Sequence, residues 1–415
     1  MKGNIKRLLG KYNGKNPPVL IFSLVVLFWT LFDSIMQYIT PLLIEEQGFS
    51  MSMIGLIIGS SSIAGAMFDF IVCKLFKNTN FKKMFLIMFL ICAIYPLLLW
   101  QAKTLWFFLF LMAVWGIYFD LYGFGVFDFV GRYTKKTDHA SSFGIVQIFR
   151  ALGGMLAPLI VGFVIVSSVD WRAFSLGWLF LTIGFIFFVV IIILMRKYQP
   201  IDKDLAYTPR RKNLFIELHL WKKLGKSMMP VLFLTFYLFV IEGFFWTLAP
   251  LYVETANFGQ FGGVLLATYI LPALIVGWFV GSLTKRFGKK RTAFTGLLIG
   301  SLVLSSFFYV SNPVILIITV FTASLFISMA LPAINAAYAD YISEAPQVEG
   351  EIESLEDFAF NIGYAVGPIS AGILADIVGI KGAFSILGLF GAVLAFILLI
   401  VTPKNIVIRT KPSEL

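Results

Sequence analysis

The sequence predicts an all-α membrane protein, with twelve transmembrane helices in two pseudo-symmetric six-helix bundles. Three observations carry that expectation. Hydrophobic residues fill 59% of the 415 positions and charged residues 13%, with a mean hydropathy of +0.90; soluble domains carry about 25% charged residues. The apolar residues gather into twelve runs, each near the ~20 residues that a bilayer crossing needs. Landmarks then repeat at a fixed offset of 209 positions: Asp33, Pro41, Glu45 and Phe49 return as Glu242, Pro250, Glu254 and Phe258.

The twelve runs are 18–42, 51–74, 83–101, 105–130, 140–167, 173–195, 228–252, 260–284, 291–311, 313–339, 356–379 and 381–402. Charge sorts the segments between them. Of the 33 Lys and Arg, 29 fall in one alternating set, three (Lys103, Arg172, Lys381) in the other, and Arg150 lies inside a run. Lys and Arg accumulate on the cytoplasmic side. Both termini are therefore expected in the cytoplasm, with the protein multi-pass in a plasma or bacterial inner membrane. The N-terminal run has no small-residue cleavage site after it and reads as a retained span.

Three units are expected: 1–195 as the N-terminal bundle, 196–227 as a cytoplasmic linker, and 228–415 as the C-terminal bundle. In the linker, Leu214, Phe215, Leu218, Trp221 and Leu224 recur at helical spacing beside Lys212, Lys222, Lys223 and Lys226. That pattern predicts a basic amphipathic helix on the inner leaflet. Glu344, Glu349, Glu351, Glu353, Glu356 and Asp357 read as a solvated acidic loop between spans ten and eleven. The net charge of +11 resides in short loops, with no basic groove, so nucleic acid is not an expected partner. Cys73 and Cys92 lack metal-ligand spacing, and His139 and His219 fall in loops. No metal and no cofactor is expected, and no nucleophile–base pair suggests an enzyme.

The polar residues inside the runs are the functional candidates. Thr30, Asp33, Ser34 and Gln37 form one stripe at helical spacing on the first span. A carboxylate there is costly in a membrane. It marks either a proton or substrate site or a structural acid bonded between helices. Glu242 repeats its place on span seven, with Trp246 one turn on; a carboxylate beside aromatics suits a cationic or amphipathic ligand. Asp120 on span four and Arg150 on span five each lie 11 residues from the cytoplasmic ends of their runs. That shared depth predicts an ion pair, structural or part of coupling. Asp128 and Arg132 form an i, i+4 pair at the inner end of span four and, with Asp69, suggest a cytoplasmic gate. Asn335 and Asn361 are weaker polar candidates.

Two six-span halves and a basic central loop resemble the major facilitator superfamily. Gly65 and Asp69 match part of its motif between spans two and three, although the Arg and second Gly are missing. Gly281, Leu283, Arg286, Gly288, Lys289 and Lys290 match the counterpart in the second half, with Lys285 in place of the acid. Gly153, Gly154, Pro158 and Gly162 resemble the family's antiporter signature in span five, with Ala157 where Gly is usual. Gly363, Gly367, Pro368 and Gly372 repeat it 210 positions on. The resemblance implies a central cavity lined by spans one, four, seven and ten, and a gate that includes Arg286. It also implies secondary transport of a small molecule by alternating access, with protons as the coupling partner and efflux by antiport as the direction. A proton symporter or uniporter for a sugar or other metabolite, or a non-transporting receptor or scaffold on the same fold, are the alternatives. The chain is expected to act as a monomer in the lipid bilayer.

Overall fold

A computed structural model describes residues 17–75, 80–135, 138–164, 169–196, 214–256, 258, 261–277, 279–344 and 349–402. Within these, the side chains of 69–75, 140, 214–221, 223, 226–227, 343–344 and 349–350 lie outside the description. The first six helices are α1 (Pro17–Glu46), α2 (Met51–Leu75), α3 (Phe81–Gln101), α4 (Leu105–Tyr133), α5 (His139–Val164) and α6 (Trp171–Met195). There follow α7 (Leu214–Thr255), α8 (Gly262–Val276), α9 (Val280–Phe287), α10 (Lys289–Ser305), α11 (Pro313–Ile327), α12 (Ala330–Glu344) and α13 (Glu349–Val401).

Ten stretches of these helices are long and apolar enough to cross a membrane, α11 and α12 counting together, and the bent pair α8–α9 makes an eleventh. The twelfth is hidden in α13. Its 53 residues would run about 80 Å as one rod, more than twice the apolar core of a bilayer. Gly379, at φ 73° and ψ 165°, breaks it into two arms, a conformation that glycine adopts without steric cost. Twelve crossings result.

Side chains cap several helix starts, because the first N–H groups of a helix have no partner within it. Asn80 accepts from Lys83 N at 3.2 Å to start α3, and Asp170 accepts from Arg172 N at 2.9 Å to start α6. Asn312 accepts from Val314 N at 2.9 Å, ahead of Pro313 at the first turn of α11.

Two boundaries differ from the sequence expectation. The linker helix is not separate from span seven: α7 runs unbroken from Leu214 to Thr255. The acidic segment is not a loop: from Glu349 onward it is the first part of α13, and Glu351 is only 7% exposed. Glu, Lys and Leu are all good helix formers, so a change of composition at a membrane surface need not end a helix. The side chains of Leu214, Phe215, Leu218 and Trp221, which carry the amphipathic reading, lie outside the described residues.

In the first bundle α1 packs on α5 and α6, and α4 packs on α2 and α3. In the second, α7 and α10 pack on α13, and α8 packs on α11. The bundles meet where α2 lies on α13, α5 on α8 and α1 on α7. Glycines allow this approach. A β-carbon on Gly55 would stand 2.1 Å from Pro368 O, one on Gly372 2.0 Å from Met51 O, and one on Gly263 2.2 Å from Pro158 O. All these contacts fall toward the face that carries residues 47–50 and Gly379. That face is opposite to the one where α1 begins.

Candidate functional site

Asp33 sits midway along α1, 6% exposed. Its Oδ1 accepts two hydrogen bonds from α4: one from Trp115 Nε1 at 3.0 Å and one from Tyr118 OH at 2.9 Å. Residues three apart share a helix face, so one surface of α4 delivers both donors. Trp29, one turn before Asp33, stacks on Tyr122 of α4 with ring centroids 4.1 Å apart.

Glu242 occupies the matching place on α7. Its Oε1 accepts from Trp246 Nε1 at 2.9 Å, one turn along the same helix, and its Oε2 accepts from Tyr269 OH of α8 at 2.8 Å. Tyr269 is held in turn: its ring stacks on Phe245 at 3.7 Å, and its carbonyl accepts from Ser324 Oγ at 2.5 Å. An apolar cavity lined by Phe245, Tyr252, Tyr269, Phe307, Phe384 and Leu387 lies behind this stack. Each bundle therefore presents one acid, and each acid is gripped by an indole and a phenol.

Arg150 of α5 joins the first acid's cluster through Tyr122, the ring on which Trp29 stacks. The guanidinium stands over the rings of Phe119, at 5.3 Å, and Tyr122, at 5.5 Å. Gln37, one turn after Asp33, faces the Tyr364 hydroxyl across the seam between the bundles. The assembly draws on α1, α4, α5, α7, α8 and α13. It combines two acids, one cation and amphipathic aromatics, a set able to take a proton, a cation or the polar group of a small molecule.

Of the residues that the sequence suggested, Asp33, Gln37, Arg150, Glu242 and Trp246 are thus brought together. Asp120 follows Tyr118 by two residues on α4. Its Oδ2 lies against Gly65 of α2, 3.0 Å from where a β-carbon there would stand. Arg150 covers the neighbouring residue Phe119.

The inner-end candidates separate. Arg132 Nε pairs with Asp128 Oδ1 at 2.5 Å, and Asp128 Oδ2 accepts from Phe81 N at 2.8 Å, so the buried acid ties α4 to the start of α3. The Asp69 side chain lies outside the description. Arg286 is exposed on α9 with its guanidinium over Phe287 at 5.2 Å. Its neighbour Lys289 pairs with Asp340 at 2.6 Å and donates to Ala336 O at 3.0 Å. Asn335 is exposed, and Asn361 donates to Asp357 O of its own helix at 3.0 Å.

Trp115, Tyr118, Tyr269 and Tyr364 were missed by sequence reasoning. In a chain with 45 Phe, 15 Tyr and 9 Trp, a single aromatic carries no signal. The i, i+3 spacing of Trp115 and Tyr118, with Asp120 beside them, was the nearest available clue.

The sequence profile described as Major Facilitator Superfamily matches residues 19–350 and 260–414. An uncharacterized MFS-type transporter of Methanocaldococcus jannaschii is 27% identical over 179 residues, 42% of this chain and 45% of that relative. The chain thus matches less than half the length of that relative. Among solved structures, a bacterial homologue of the human lysosomal transporter Spinster, inward-facing and unoccupied, superposes with a TM-score of 0.70 at 14% identity, covering 96% of this chain and 100% of that one. The nucleoside transporter NupG gives a TM-score of 0.67 at 15% identity, covering 93% and 99%. At such identities the likeness is one of fold.

Proposed function

This chain belongs to the major facilitator superfamily; we propose that it is a membrane transporter of a small molecule and works as a proton-coupled antiporter. One observation carries the reading: each bundle places one carboxylate, Asp33 or Glu242, inside the protein, and each is gripped by an indole and a phenol. Intramembrane acids are retained chiefly where they serve transport. In the proposed cycle the two bundles rock about this site and open it to each side in turn. A proton and the substrate compete for the same carboxylates, so loading one expels the other, and no covalent step occurs. The functional units are 1–195, 196–227 and 228–415, with both termini cytoplasmic, as the basic asymmetry favours.

Arg150 favours a second reading. A guanidinium resting over rings can turn to the anionic group of a substrate; proton and substrate would then travel together, as symport. A thermal-shift screen of the purified protein against amines, sugars, nucleosides and organic acids identifies the ligand by mass action. Proteoliposomes with an imposed pH gradient then decide. Antiport predicts accumulation against an opposed proton gradient, lost in Asp33→Asn and reduced in Glu242→Gln. Accumulation along the proton gradient would establish symport, and wild-type accumulation in both variants would remove the acids from coupling.

A further inference from the structure

We propose that Asp376 is the latch that holds the two bundles together on the face away from the start of α1. Asp376 lies on the first arm of α13, three residues before Gly379. Its Oδ1 accepts from Met51 N at 3.1 Å. Its Oδ2 accepts from Ser52 N at 2.8 Å and from the Ser52 hydroxyl. Met51 and Ser52 open α2, a 25-residue helix of the other bundle.

The first N–H groups of a helix lack intrahelical partners and carry a partial positive charge. Their usual acceptor is a residue just before the helix. Here the Ser50 hydroxyl takes Met53 N, at 3.4 Å, and the Ser50 carbonyl takes Ile54 N, at 2.9 Å, while the acceptor for Met51 N and Ser52 N comes from more than 300 residues away. The cap of α2 is therefore complete only while the bundles touch.

Below this cap the seam runs backbone to backbone at several glycines. Gly55 meets Pro368 O, Gly59 meets Ala365 O, and Gly372 meets Met51 O. Glycine against carbonyl makes a smooth contact that can part without withdrawing an interlocked side chain. The Asp376 cap is itself exposed, so water can replace its bonds when the seam opens. A nearby seam on the same face pushes the other way. Glu254 stands near the end of α7 and Glu45 and Glu46 at the end of α1, and these two helices pack on each other, so like charges gather there. Attraction across α2–α13 and repulsion across α1–α7 leave this face poised rather than locked.

The test reads the opening of this face directly. In a Cys73→Ala, Cys92→Ala background, Gln37→Cys places a reporter in the central site. An impermeant maleimide is applied to vesicles of each orientation, with Gln47→Cys identifying the face concerned. The labelling rate from that face measures the open fraction. Asp376→Ala should raise it on the order of tenfold, the worth of losing one or two charge-assisted bonds, and Ser52→Ala by a smaller factor. Asp376→Asn, which keeps one acceptor oxygen, should fall between, and Glu254→Gln should lower the rate. An unchanged rate with a lowered melting temperature would make Asp376 a plain helix cap and overturn the proposal. So would a rate raised equally from both faces, the mark of general loosening. The functional reading above enters only through the idea that this face opens. Because no substrate is used, failed transport and a failed latch remain distinguishable.

Discussion

Arg150 holds its guanidinium 5.3 Å from the centre of the Phe119 ring, one residue away from the acid that depth alone would have given it. A cation over an aromatic face is worth about 0.5–2 kcal/mol, more as water is excluded. A double-mutant cycle of Arg150→Gln with Phe119→Leu, followed by thermal unfolding in detergent, should give a coupling in that range. A coupling below about 0.5 kcal/mol would show that the ring does not hold the cation.

The four donors around the acids can be removed one at a time. Hydrogen bonds to charged groups are worth about 1.5–3 kcal/mol each. Tyr118→Phe and Tyr269→Phe should each lower stability by an amount in that range, read as melting temperature. Trp246→Phe should cost less than Trp115→Phe. Trp246 lies on the same helix as Glu242, whereas Trp115 also joins α4 to α1.

Asp128 should matter more than its ionic partner. It accepts from Arg132 and also satisfies Phe81 N at the start of α3. Arg132→Ala removes one partly exposed pair, a loss of about 1 kcal/mol. Asp128→Ala strands a backbone donor and a guanidinium together and should cost about 2–4 kcal/mol. Equal melting temperatures for the two variants would reduce the acid to a surface pairing.

Glycine packing gives a prediction with a built-in control. Gly55→Ala would force a methyl to within 2.1 Å of Pro368 O, whereas Gly123 has nothing within 4 Å of the same position. Gly55→Ala should destabilise by about 1–3 kcal/mol, the usual cost of overpacking. Gly123→Ala should be neutral or slightly stabilising, since alanine is the better helix residue. Unfolding of the two variants under one condition settles the comparison.

Topology has its own check. Cysteines placed at Glu45, Lys103 and Glu254 should react with an impermeant reagent added to whole cells, and those at Lys135 and Lys289 should not. The reverse pattern would invert the protein in its membrane.

The span count and the twin acids were legible in the sequence for simple reasons. Apolar runs of fixed length and an offset repeat are one-dimensional signals, and Asp33 with Glu242 survives translation into three dimensions. The glycine–proline segments were legible as close-packing sites. The structure gives them a job: Pro158 meets Gly263, and Pro368 meets Gly55, both between the bundles. Arg150 was harder, because residue counting fixes depth along a helix but not direction around it. Asp376 gave no signal at all. An acid near the end of a span reads as ordinary, and only the fold brings Ser52 to it. The long α7 and α13 were hidden by composition, since lysine- and glutamate-rich stretches look like loops yet favour helix.

The two acids differ in which oxygens are taken. Both donors to Asp33 land on Oδ1, and among the described residues no hydrogen bond reaches Oδ2. Glu242 instead takes one donor on each oxygen. An ionised carboxylate offers about four lone-pair sites over its two oxygens. Under the proposed reading, a single ammonium or hydroxyl docks on the second oxygen of Asp33 without displacing an aromatic partner. At Glu242 the vacancies are split between oxygens that each already hold a ring. A forked, two-pronged donor would have to thread between Trp246 and Tyr269 or push one aside. On that reading, stereochemistry at the two carboxylates, more than charge, separates the ligands that each would accept.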